Sequence, residues 1–291
     1  MDQLPAPSPP ARSLPYLLIE PARQDVPLVV ASPHSGRDYA QSFLAAARLG
    51  PLDLRRSEDS FVEELFSGAT EHGAPLLCAQ FPRAYCDPNR EPWELDPAMF
   101  ADRLPEWVNT TSPRVGAGLG TIARIVTSGE SIYRGKLQFA EAEERIRNCW
   151  QPYHDALAGL IARTHARFGA CLLLDCHSMP ASGGRQSGPD FVLGDAHGTA
   201  CSPRVTGLVE ATLAAAGYDV RRNDPYAGGY VTRHYGRPRE GVHALQIEVA
   251  RRLYMDEATL SKLDGFDVLR ERLAGLVGKV AEECAALLAL G

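Results

Sequence analysis

The stretch Leu172-Leu173-Leu174-Asp175-Cys176-His177-Ser178-Met179-Pro180 decides how the chain is read. Three leucines run into a polar cluster that stops at a proline, the pattern of a short buried strand feeding a loop. His177 is then expected at the carboxyl end of a central strand, the edge at which open α/β sheets bind ligands. A second stretch, Leu28-Val29-Val30-Ala31-Ser32-Pro33-His34-Ser35-Gly36, repeats the design, an apolar run followed by His and Ser. Either histidine alone reads as an ordinary loop or core residue. Two of them, on loops at strand ends, suggest a shared metal ion.

Composition limits what such a site can belong to. The chain has 291 residues, 45% hydrophobic and 8% aromatic, with a formal net charge of -6. This fits a soluble globular protein of one large domain or two small ones. The acidic balance argues against a general binder of nucleic acid or of membrane surfaces, which needs a basic face. No run of about 18 apolar residues occurs, so no helix is expected to span a membrane. The start of the chain is rich in Pro and lacks both a basic beginning and an apolar core, so it does not read as a secretory signal. Residues 1–14 are expected to form a flexible arm, and 15–291 a single α/β domain. The seven cysteines include no C-x-x-C pair, and several sit in apolar runs. Free thiols and a cytoplasmic location are therefore expected. Cys176 could be a nucleophile, but strand alternation would point it to the face opposite His177.

Strands are expected over 27–31, 75–80, 191–194 and 244–249, with an edge-like strand over 219–222. Helices are expected over 41–49, 202–216 and 267–290, and one long helix over 139–168 that Pro152 should bend or split. In Glu58-Asp59-Ser60-Phe61-Val62-Glu63-Glu64-Leu65-Phe66 the apolar residues fall at helical spacing. Asp59 or Ser60 could cap that helix, or the Asp59 carboxylate could face the His34 loop. The segment 81–131 reads as a long functional loop. It opens with Arg83 and continues through Asp87-Pro88-Asn89-Arg90, either a solvated turn or a clamp whose guanidinium forks match a carboxylate. A second long loop, 223–241, holds Gly228-Gly229-Tyr230 and Thr232-Arg233. Its paired glycines would allow a mobile flap that closes Tyr230 and Arg233 over a ligand. Alternating strands and helices imply an α/β three-layer sandwich with a mixed, mostly parallel central sheet.

His34, Asp59 and His177 make up two imidazoles and a carboxylate, a common catalytic zinc set that leaves a fourth position for water. Glu248 lies in an apolar strand, where an unpaired carboxylate is costly. It is either a structural partner of Arg251 or Arg252, or a proton-transfer group beside the metal. These groups, with an arginine to stabilise an oxyanion, describe metal-assisted amide hydrolysis. A serine hydrolase is disfavoured, because no Gly-x-Ser-x-Gly elbow occurs.

Four ordered segments carry a resemblance: Ser32-Pro33-His34-Ser35-Gly36, Asp175-Cys176-His177-Ser178-Met179-Pro180, Gly229-Tyr230-Val231-Thr232-Arg233-His234-Tyr235-Gly236 and Gly241-Val242-His243-Ala244-Leu245-Gln246-Ile247-Glu248. Together they resemble the N-formylglutamate amidohydrolase family, over nearly the whole chain. The resemblance implies a zinc-carboxypeptidase-like fold and hydrolysis of N-formyl-L-glutamate to formate and L-glutamate, in histidine degradation. It implies one zinc ion held by His34, an acidic residue and His177, with Glu248 as general base. It further implies that Arg83 polarises the carbonyl and that Asn89 and Arg90 hold a substrate carboxylate. Many relatives have Trp after the acidic ligand, whereas Ser60 follows Asp59 here. Asp59 aligns best, and the adjacent Glu58 is the alternative. For the remaining negative charge of a small anionic N-acyl amino acid, Arg134 and Arg233 are the better candidates, with Arg185 also available. Two other readings fit the same residues: a zinc acylase or carboxypeptidase for another N-acyl amino acid, and a non-catalytic binder of acidic small molecules.

Overall fold

The computed structural model describes residues 14–126, 128–180 and 188–288. The expected arm up to residue 13, Arg185 and the last two residues of the expected C-terminal helix lie outside the described residues. Seven strands form the central sheet: β1 Tyr16–Ile19, β2 Leu28–Ser32, β3 Leu76–Ala79, β4 Cys171–Met179, β5 Phe191–Gly194, β6 Val220–Arg222 and β7 Val242–Ala250. Their order is β1-β3-β2-β4-β7-β5-β6. The four central strands β3, β2, β4 and β7 run parallel. β1 is antiparallel to β3 at one edge, and β5 is antiparallel to β7 towards the other. A mixed, mostly parallel sheet was the expectation, and strands near all the expected ranges form it.

β4 and β7 are buried along their whole lengths, as parallel strands covered by helices on both faces must be. Alternation sorts their side chains. Leu172, Leu174 and Cys176 join Leu245, Ile247 and Val249 in a core completed by the helices Pro203–Ala215 and Phe266–Leu288. Cys171, Leu173 and Ala244 face the other way, against Tyr153, Leu157, Leu160 and Ile161 of the helix Gln151–Phe168. Helix, sheet and helix are the three layers. Cys176 is sealed in the first core, its thiol pushed well above the ordinary value by burial. The nucleophile reading ends there, because a neutral buried thiol is inert.

Three local expectations change. His177 is not on an exit loop but within β4, with Ser178 and Met179 still paired to β7 beyond it. The segment 223–241 is not a flap of loop. It folds into the helix Tyr230–Tyr235 and a 3-10 turn Pro238–Glu240, because Val231, Thr232 and Tyr235 bury one side of it. The helix after Asp59 is only Val62–Leu65, and neither Asp59 nor Ser60 caps it. Phe61 occupies the N-cap position at a left-handed φ of 68°. The long helix breaks where Pro152 requires. Between Phe139–Arg145 and Gln151–Phe168 lies a π-helical turn, Ile146–Trp150. That wider turn accommodates a residue without an N–H and aims the Trp150 indole N–H at Arg90 O, 3.0 Å away.

Gly36 shows how tightly the His34 loop is seated. A Cβ built there would lie 2.2 Å from Phe81 O and 2.6 Å from Gln80 C. Both are backbone atoms that cannot rotate away. Gly36→Ala is expected to force the His34 loop off the end of β3 and cost on the order of 2 kcal/mol, as overpacking does. Thermal unfolding should register this as a loss of several degrees in Tm. An unchanged Tm would mean the loop has room to shift.

Candidate active site

Side chains from the four parallel strands β3, β2, β4 and β7 and their exit loops meet at the carboxyl edge of the sheet. Asp175 and His177 project from β4 and Gln246 and Glu248 from β7, the register pairing Asp175 with Gln246 and His177 with Glu248. The loop after β2 brings His34, and the backbone N–H of Asp59 donates to His34 O at 3.0 Å. The loop after β3 brings Arg83, Asp87, Asn89 and Arg90. All of these but Asp175 line a cavity of about 350 Å³.

Within it, one donor atom each from His34, Asp59 and His177 lies within 4.8 Å of the others, and all three residues are buried. His177 Nδ1 is 3.1 Å from His34 Nδ1 and 3.0 Å from Asp59 Oδ2. His34 Nδ1 is 3.3 Å from the same Asp59 oxygen. The other nitrogen of each ring meets a carboxylate: His34 Nε2 with Asp87 Oδ1 at 2.7 Å, and His177 Nε2 with Asp175 Oδ1 at 3.0 Å. A carboxylate accepts, so each Nε2 carries the proton and donates. Each Nδ1 then turns a lone pair inward. Two lone pairs and a carboxylate oxygen facing one another repel unless a cation lies among them. Ligand atoms about 2.0–2.1 Å from a tetrahedral ion are separated by about 3.3 Å, close to the spacings here. The donor set therefore fits a metal ion, and the outer carboxylates are the partners that metal-binding histidines use to fix their orientation.

Electrostatics agree. Against the burial that disfavours its charge, the adjacent His177 and His34 imidazoles hold the Asp59 carboxyl well below the ordinary carboxylate range. Burial likewise opposes the charge on Asp87, and the nearby Arg83, His34 and Arg90 outweigh it, keeping that carboxyl well below its usual value. The second oxygen of Asp59, Oδ1, accepts from Ser178 Oγ and Arg251 Nη2, both at 3.2 Å, which leaves Oδ2 to face the imidazoles. Glu58 is engaged elsewhere, by Arg55 at 3.1 Å and Ser60 at 2.9 Å. Of the two acidic candidates the structure brings Asp59 to the site.

Glu248 lines the same cavity. Its Oε1 accepts from Gln246 Nε2 at 2.8 Å, and burial lifts its carboxyl to about 7, with Asp59 adding to the rise and His177 opposing it. Neither expected structural partner takes it: Arg251 serves Asp59 and Ser178, and Arg252 pairs with Asp190 at 2.9 Å. Arg83 lines the cavity and donates to Asp87 Oδ2 at 2.8 Å. Asn89 and Arg90 are buried in its wall. Asn89 Oδ1 accepts from Val231 N at 2.8 Å, and its amide nitrogen lies 3.3 Å from His177 Nε2. Arg233 also reaches the lining.

Two candidates are not brought there. Arg134 is exposed, with its Nε donating to Ala47 O at 2.8 Å, and is absent from the lining. The Tyr230 ring stacks on His234, 4.8 Å between centroids, and packs near Trp150 and His154. Its place is a supporting aromatic cluster. The sequence reading missed Asp87, Asp175 and Arg251 as site residues. Asp87 and Asp175 left one signal, an acidic residue two positions from Asn89 and from His177. Arg251 left none, since its partners come from distant segments.

The model of the N-formylglutamate amidohydrolase family matches residues 26–255. An N-formylglutamate deformylase of Pseudomonas aeruginosa is 34% identical over 244 residues, covering 81% of this chain and 84% of that protein. The corresponding deformylase of Pseudomonas putida is 31% identical over 244 residues, covering 80% and 83%. The crystal structure of an N-formylglutamate amidohydrolase from Ralstonia eutropha JMP134 superposes with a TM-score of 0.87 at 39% identity, covering 93% of this chain and 98% of that one.

The loop carrying Asp87–Arg90 rests on His154, whose ring lies on Trp150 with centroids 3.8 Å apart. His154 Nε2–H donates to Pro88 O and Nδ1 accepts from Tyr235 Oη, each at 2.8 Å. Burial lowers this histidine from 6.5 to about 4. The unfolded chain therefore binds more protons between those values, and stability falls as pH drops from about 6.5 towards 4. The separation is worth roughly 3 kcal/mol. Denaturant titrations at pH 7 and pH 4.5 should show this loss in the parent protein, and a smaller pH dependence in His154→Gln. Equal pH dependence in the two would place the acid sensitivity elsewhere.

Proposed function

Because the chain belongs to the N-formylglutamate amidohydrolase family, we propose that it hydrolyses N-formyl-L-glutamate to formate and L-glutamate with one zinc ion held by His34, Asp59 and His177. The observation that carries the reading is the convergence of those three donors beside a buried, unsalted carboxylate, Glu248, in a single cavity. Two histidines and a carboxylate form a zinc set that keeps a position open. Zinc bound there would supply Lewis acidity, which makes water nucleophilic near neutral pH and polarises a carbonyl.

The chain's own residues do the rest. Glu248 accepts a proton from the attacking water and returns it to the nitrogen as the C–N bond breaks, so that formate and the free amine leave. A carboxyl near 7 suits a group that must both take and give a proton. Gln246 holds one of its oxygens and leaves the other for that traffic. Arg83, tethered by Asp87, donates to the carbonyl oxygen as negative charge develops on it. Arg90, Asn89 and Arg233 meet the carboxylates of the substrate, a small anionic N-acyl amino acid. Cationic side chains on the wall of an otherwise acidic protein favour such an anion over neutral acyl compounds. A place in histidine degradation and in the cytoplasm belongs to the same proposal. The burial of Cys78, Cys86, Cys171, Cys176, Cys201 and Cys284 as free thiols supports a reducing compartment.

Purified protein should contain close to one zinc per chain and release formate from N-formyl-L-glutamate faster than it releases acetate from N-acetyl-L-glutamate. A chelator should abolish turnover and added zinc restore it. Preference for acetyl or peptidyl substrates would assign the site to another acylase, and binding without turnover to a non-catalytic protein. Glu248→Gln preserves shape but cannot take the proton. Its kcat is expected to fall about 10²–10⁴-fold with zinc content and Tm retained. A kcat within a few-fold of the parent would remove Glu248 from the chemistry.

A further inference from the structure

Five arginines line the cavity: Arg83, Arg90, Arg114, Arg233 and Arg251. Most are already engaged. Arg251 serves Asp59 and Ser178, and Arg83 is tied to Asp87. Arg90 spends Nε on Leu119 O at 2.8 Å and Nη1 on Asn89 O at 2.7 Å. One N–H of Nη1 and both of Nη2 are left, with Nη2 3.9 Å from Asp87 Oδ2. A guanidinium grips a carboxylate best through two parallel N–H donors. Arg90 has a single such pair to offer, at its Nη1/Nη2 end, because its Nε edge is committed to Leu119 O, and the substrate carries two carboxylates.

Arg114 is placed to supply what Arg90 lacks. It lies in the short helix Pro113–Gly116, which Ser112 caps. The chain returns from it so that Leu119 N donates to Arg114 O at 2.8 Å. Leu119 thus joins the two arginines, through its N–H to the backbone of Arg114 and through its carbonyl to the side chain of Arg90. Their charges are close enough to contribute to lowering the Arg90 pKa, an effect in which burial is the larger cause. Among the described residues the Arg114 side chain has no hydrogen bond or ion pair, so its whole fork is free. Two like charges beside each other, one of them buried, are relieved by an anion. The loop that follows lines the same cavity with Leu119, Ala123, Ile125 and Val126, a surface along which methylene groups can lie.

The geometry points to Arg114, with the Nη1/Nη2 end of Arg90, as the subsite for the side-chain carboxylate of the substrate, and so as the determinant of preference for acidic N-acyl amino acids. This rests on the reading that the cavity hydrolyses N-formyl-L-glutamate. The methylenes of the glutamyl side chain then run along the apolar loop, and its terminal carboxylate ends between the two guanidinium groups. Arg233 is left for the α-carboxylate.

The test compares N-formyl-L-glutamate with its neutral isostere N-formyl-L-glutamine in the parent and in Arg114→Gln. Arg114 is exposed, so the variant should fold, and its Tm checks that it has. Losing a charge-assisted contact should lower kcat/KM for the glutamate substrate by about 10- to 100-fold, mainly through KM. The glutamine substrate should lose far less, so the ratio between the two collapses. Arg114→Lys should recover part of the ratio. Equal losses on both substrates, or none, would overturn the subsite. The same pair of ligands is titrated by calorimetry into Glu248→Gln with and without Arg114→Gln, which reads binding apart from turnover. If the parent releases no formate but the Arg114 change still removes the preference in binding, the reaction assignment fails and the subsite stands. If turnover is present and the ratio is insensitive to Arg114, the subsite fails and the reaction stands.

Discussion

The register of β4 against β7 is the constraint from which the rest of the site follows. Nine consecutive residues of each strand pair in parallel, Cys171 with Val242 through Met179 with Ala250. Within that ladder Asp175 and His177 stand beside Gln246 and Glu248 on one face. A slip of one residue would send one pair into the apolar core and leave the other alone. The slip is prevented by the alternate residues Leu172, Leu174, Cys176, Leu245, Ile247 and Val249, which must all meet the helices on the opposite face. His177 and Glu248 are thus held in mutual position by an apolar face that neither touches.

Four polar side chains on two buried strands would be expensive if unpaired. Here each is answered: Asp175 by His177 and Thr232, Gln246 by Gly229 N, and Glu248 by Gln246. The helix Tyr230–Tyr235 is what closes this account, because Thr232 and the Gly229 N–H come with it. Gly229 is needed for that approach, since a Cβ there would fall 2.3 Å from the Asn89 side chain. The loop after β3 and the helix are locked by the same Asn89, whose Oδ1 accepts from Val231 N. A network so fully satisfied is rigid, which suits a site whose donors must stay within a few tenths of an ångström of one another.

Charge is layered around this centre. Asp59, Asp87 and Asp175 surround the two imidazoles and create a demand for positive charge that a metal ion would meet. Arg83 and Arg251 neutralise the outward-facing carboxylate oxygens. Beyond them Arg90, Arg114 and Arg233 give the cavity wall a cationic surface. An acidic chain can attract an anion only by such local concentration, because at physiological salt exposed charges more than about 8 Å away are largely screened.

Apolar runs determined β2, β3, β4 and β7 from the sequence alone, since burial on both faces leaves an almost uninterrupted hydrophobic signal. His34, His177 and Glu248 stood out for the complementary reason, as polar residues at the ends of such runs. Their assembly was legible because strand ends of a parallel sheet share one edge. What the sequence could not decide was which partner each group would choose. Asp59 could equally cap a helix or face the His34 loop, and Phe61 in a left-handed conformation starts that helix and leaves the carboxylate for the site. Tyr230 looked like part of a loop, but the burial of Val231 and Tyr235 folds its segment into a helix. Asp87 and Arg251 act through contacts with distant segments, Asp87 with His34 across 53 positions and Arg251 with Asp59 across 192. Hydrophobic periodicity is written locally, residue by residue, whereas the pairing of a buried charge is settled only when the tertiary fold brings its partner within hydrogen-bond reach.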